Sequence, residues 1–123
     1  MVSIDQVQEI LEELVEELPE EALRGLSGGI FLEESIKYHP QVLGDRAVVM
    51  GHYTRGPLGP SIAIFYGSFM EMYGHLEADA LRIHLRETLY HELTHHLEWQ
   101  MGIHDLEAED AAQLRRIQGR EFW

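Results

Sequence analysis

The residues best suited to chemistry lie in one short run, His91-Glu92-Leu93-Thr94-His95-His96. On a helix, positions four apart share a face, so the imidazoles of His91 and His95 can reach one metal ion at Zn–N distances of roughly 2.0–2.1 Å. Two such nitrogens make half of a tetrahedral zinc site. Glu92 is rotated by about 100° from His91, which suits a carboxylate that meets a metal-bound water rather than the metal itself. Zinc lowers the pKa of its water to around 7 and polarises a carbonyl as a Lewis acid. Glu92 would take the water's proton as general base and return it to a leaving amine. A purely structural zinc site has four protein ligands and no use for that carboxylate, so Glu92 favours catalysis. The bland reading is a histidine pair that caps, bridges or sits half-exposed on its helix.

These residues need a rigid element under them. From about Leu76 to Met101 the chain has neither Gly nor Pro and is dense in Leu, Ala, Glu, Arg and His, as one long helix would be, with Gly102 as its stop. Asp105 can cap a final helix through Leu106, Ala111, Leu114 and Ile117. At the other end, Ser3 and Gln6 form a capping box, and Ile4, Val7, Ile10, Leu11, Leu14 and Leu18 recur at helical spacing. Pro19 ends that helix and opens a short second one through Glu20, Glu21 and Ala22. Between the helical regions, Ile30 to Ile36, Ala47 to Thr54 and Ser61 to Tyr66 are apolar or β-branched runs bounded by Gly and Pro, as strands are. Arg55 to Pro60 reads as a hairpin loop, with Pro60 at a strand's first residue, where a missing N–H is tolerated. The fold class is α+β: a small, mostly antiparallel sheet of three or more strands, a long helix carrying the site, and flanking helices.

The 123 residues suit one domain. The absence of cysteine removes disulfides, thiolate ligands and a cysteine nucleophile, so a transition-metal site must use His and carboxylates. A formal charge of −13 repels a phosphate backbone and argues against nucleic acid as a partner. The glutamates from Glu9 to Glu21 read as a solvated helix face. No apolar run is long enough to span a membrane, and no leader-like start is present, so the expected compartment is the cytoplasm.

Of the remaining candidates, His96 is expected to pack or hydrogen-bond rather than ligate, and His84 to lie at the rim, two turns from His91. His39, His52 and His75 read as ordinary loop or strand residues. Tyr66, Tyr73 and Tyr90 are core candidates, one of which could steady an oxyanion. Ser61 to Tyr66 is the expected sheet edge for an extended substrate.

The run His91-Glu92-Leu93-Thr94-His95-His96, followed by Gly102-Ile103-His104-Asp105, resembles the small bacterial zincin-like metallopeptidases, or minimal zincins, whose Asp-zincin pattern is HExxHxxGxxD. The likeness extends over most of the chain in size and element order and is specific only around the motif. It implies a zincin-type core over residues 1–123, one zinc per chain, His91, His95 and Asp105 as ligands, Glu92 as catalytic base, and a peptide or protein substrate. The spacing departs from the pattern: Gly102 comes seven residues after His95 and Asp105 ten, against three and six. That insertion is about one more helical turn and carries the helix roughly 10 Å past His95, a distance that three extended residues can just retrace. Asp105 is the favoured third ligand, with three alternatives. Glu109 would lie level with the metal on an antiparallel last helix. His104 is the better donor by type. The position is otherwise completed by water, with Asp105 serving only as an N-cap. The reading of a different class is a non-catalytic scaffold or binding module that retains the motif.

Overall fold

Ser3 caps the first helix as its spacing to Gln6 requires. In the computed structural model, which describes residues 1–39 and 47–102, the Ser3 hydroxyl accepts from the Gln6 N–H at 3.2 Å and the Gln6 side chain accepts from the Ser3 N–H at 2.8 Å. Helix α1 (Ile4–Glu16) buries Val7, Ile10, Leu11 and Leu14 along one stripe. Pro19 then opens the single turn α2 (Glu20–Leu23).

Three strands follow: β1 (Gly29–Glu33), β2 (Gly51–Gly56) and β3 (Gly59–Phe65). They lie in the order β1-β3-β2. β2 and β3 form an antiparallel hairpin in which Arg55 pairs with Pro60 and Gly56 with Gly59, leaving Pro57 and Leu58 as the turn. β1 runs parallel to β3, with Ile30 opposite Ile62. The sheet is therefore mixed, with one parallel and one antiparallel pair. The segment between β1 and β2 carries the chain across to the far edge, and strand patterns do not reveal which edge a returning chain takes. Ser61 to Tyr66 is corrected by the same topology. Ser61 to Phe65 lie in the central strand, paired to a neighbour on each side, and Tyr66 opens the following helix, so among the described residues the edge strands are β1 and β2.

Helix α3 (Tyr66–Tyr73), which is not among the expected elements, follows β3 directly. The long helix α4 (Ala78–Gln100) then crosses β2, β3 and α1. It stops where Gly102 takes φ +76°, a backbone conformation natural to glycine after a helix. The core is built from Leu11 and Leu14 of α1, Ile62 and Ile64 of β3, Phe69 of α3, and Leu81, Leu85, Leu89 and Leu93 of α4. No helix among the described residues is long and apolar enough to cross a membrane. The expected last helix, with Asp105, Glu109 and His104, lies outside the described residues.

Candidate metal centre

Helix α4 carries two buried stripes of different character. Leu81, Leu85, Leu89 and Leu93 repeat every four residues and fill the core, while Thr88, Glu92 and His96 repeat every four residues and are buried although polar. Burying a polar group costs stability unless a partner meets it. His96, with no exposed surface, has two partners. Its Nε2 donates to the Arg24 carbonyl at 2.7 Å, since a carbonyl cannot donate, and its Nδ1 lies 2.8 Å from the Tyr53 hydroxyl. Gln100 donates to the same carbonyl, so the C-terminal half of α4 is tied both to the α2–β1 connection and to β2. His96 is structural, as its position beside His95 leads one to expect.

Glu92 is 4% exposed and is pushed up to about 7 by burial, an effect that a hydrogen bond from the Tyr53 backbone N–H only partly offsets. Its seat depends on close approach of strand and helix. A Cβ on Gly51 would stand 2.8 Å from the Thr88 Cγ2 and 3.3 Å from the Glu92 Cγ. Glycine there lets β2 lie against α4 at this level.

The His91 and His95 rings meet edge-on with centroids 5.0 Å apart. Burial, and secondarily the neighbouring His95, pushes His91 down to about 4, and burial also lowers His95. Both imidazoles are therefore neutral at neutral pH, the form in which a histidine binds a metal. The pair fits a single ion by type, spacing and protonation state. Among the described residues no third His, Asp or Glu completes a metal-binding group with them.

A cleft of about 310 Å³ opens beside this pair, lined by His52, Tyr53, Arg55, Glu92, His95, Glu98 and Trp99. A larger hollow of about 420 Å³ between α1, α2 and β1 contains none of the motif residues. In the first cleft the Arg55 guanidinium lies over the Trp99 ring, 3.8 Å from its centroid, and also bonds the Tyr53 phenol. Burial raises Tyr53, and Arg55 works against that rise.

Sequence reasoning anticipated His91, Glu92 and His95 on one helix, and the structure brings them together. It did not anticipate Tyr53, Arg55, Glu98 or Trp99. The phenol in the cleft is Tyr53. Tyr66 instead donates to the Val2 carbonyl, Tyr73 stacks on His84 with centroids 3.9 Å apart, and Tyr90 is exposed. That stacking packs His84 against α3. His52 lines the cleft, with Lys37 3.1 Å from its Nδ1.

No family model matches the chain, nor does any curated protein. Among solved structures, the chain is similar to a conserved hypothetical protein from Thermus thermophilus, at 34% sequence identity and a TM-score of 0.71 over 81% of this chain and 98% of that one. The chain belongs to that protein's family. The α+β fold is shared with that protein.

Proposed function

We propose that this protein is a zinc-dependent metallopeptidase, with His91 and His95 as metal ligands and Glu92 as general base. The observation that carries the reading is the joint state of the three side chains. Two neutral, edge-on imidazoles stand one turn apart, and a carboxyl held near 7 faces the adjoining cleft. When bound, zinc supplies the Lewis acid that acidifies a water and polarises a peptide carbonyl. The protein supplies the rest. Glu92 would accept the water's proton at its carboxylate and deliver it to the departing amine. The Tyr53 N–H fixes one side of that carboxylate, while Tyr53 itself is held through its hydroxyl by His96. Asp105 is the favoured third ligand, with Glu109 and His104 behind it, and a cytoplasmic setting belongs to the same proposal.

Glu92→Gln separates enzyme from scaffold. Glutamine keeps the size and accepts the Tyr53 N–H but cannot take a proton from water. A broad peptide library read by mass spectrometry, with chelated protein as blank, should show cleavage by wild type and a loss of at least about 100-fold in the variant at unchanged zinc content. Cleavage undiminished in Glu92→Gln would remove Glu92 from the chemistry.

A further inference from the structure

We infer that Glu98 is the substrate-recognition residue of the cleft and that it takes a cationic group, a protonated amine of the peptide bound beside His91 and His95. The inference rests on the metallopeptidase reading and deepens it. Glu98 follows His95 by three residues and His91 by seven, so it shares their side of α4 about one turn further on. It lines the same cleft as Glu92 and His95. Its Oε1 is buried and has no hydrogen-bond partner among the described residues. A carboxylate oxygen withdrawn from water requires a donor, and burial has already pushed this carboxyl up, a shift that a bound cation would reverse.

The rival group is Arg55, which would select an acidic substrate. It is already engaged, stacked on Trp99 and bonded to the Tyr53 phenol. No ion pair joins it to Glu98 among the described residues. The formal charge of −13 also draws cationic peptides towards the molecule and repels acidic ones.

The test is calorimetric binding of zinc-anchoring hydroxamates to the zinc-loaded full chain, which needs no turnover. Nα-acetyl-norleucine hydroxamate reports the metal site alone. Nα-acetyl-lysine hydroxamate adds a side-chain amine, norleucine hydroxamate adds a free α-amine, and Nα-acetyl-glutamate α-hydroxamate adds a carboxylate. The expected result is that one of the two amines binds about tenfold more tightly than the neutral compound, equivalent to about 1.4 kcal/mol. Which of them does so tells a basic side chain from a chain terminus. In Glu98→Gln the preference should vanish while the neutral compound binds as before, which also shows that the variant is folded. Equal binding of all four compounds, or an amine preference that survives in Glu98→Gln, overturns the inference and leaves the metal site standing. Preference for the carboxylate overturns it in favour of Arg55. Failure of every hydroxamate to bind overturns the metal reading, and this inference with it.

Discussion

Glu92 occupies a place where burial works against its own charge, and that has a consequence for stability. Its carboxyl sits at about 7 in the folded protein against 4.5 for the unperturbed group. The unfolded chain therefore releases this proton first. Stability from the protonated form is complete below about 4.5, falls as pH rises towards 7, and is flat above that. In metal-free protein, Glu92→Gln should escape the loss and be more stable than wild type above pH 7 by on the order of 2–3 kcal/mol, with no advantage near pH 4. Urea unfolding at a series of pH values measures the difference, and a pH-independent gap would mean that the carboxyl is not held this way. His91 shifts in the opposite sense. An unperturbed imidazole near 6.5 would begin to surrender zinc below about pH 6. With His91 pushed down to about 4 and His95 also lowered, occupancy should persist to a lower pH than two unperturbed imidazoles would allow. Dialysis at stepped pH followed by zinc analysis checks this, and release centred near 6.5 would contradict it. The histidines and Glu92 were legible in the sequence because their chemistry depends on residue type at fixed helical spacing. Tyr53, Arg55 and Glu98 were not, because each acquires its role from a residue of another element or from burial.

Helix α4 was legible as an element for similar reasons. No glycine or proline interrupts it, and Gly102 ends it. The Ser3 capping box marked the start of α1 just as directly. The order of the strands was hidden, since it depends on where the chain crosses between β1 and β2 rather than on any strand's own residues. Helix α3 was hidden as well, for its eight residues follow β3 without an intervening turn and have no side-chain cap at their start. The joint between β2 and α4 is the feature on which the site depends. A side chain at position 51 must displace the Thr88 methyl, which is buried and β-branched. Gly51→Ala should therefore cost about 1–3 kcal/mol, as overpacking does, and Thr88→Ser in the same chain should recover much of it by removing that methyl. Thermal unfolding of the single and double variants decides the matter. Gly51→Ala as stable as wild type would show that strand and helix can separate freely here.

Across the whole molecule, helix α4 reads as a beam. One stripe of leucines fixes it in the core, a second, polar stripe fixes it to β2 and to the α2–β1 connection, and the histidine pair stands alongside the cleft. The α+β class followed from the pattern of elements, and the similar protein from Thermus thermophilus shares the architecture over nearly its full length. Zinc bound only by the folded chain would stabilise it by mass action, so metal content and melting temperature should rise together. The most direct measurement is the zinc content of protein purified without chelator and then supplied with zinc, for wild type, His91→Ala and His95→Ala. Wild type should hold about one zinc per chain, and each variant, still folded by circular dichroism, should lose it. Wild type without zinc, or variants that retain it at the wild-type level, would contradict the assignment of His91 and His95 as the metal ligands.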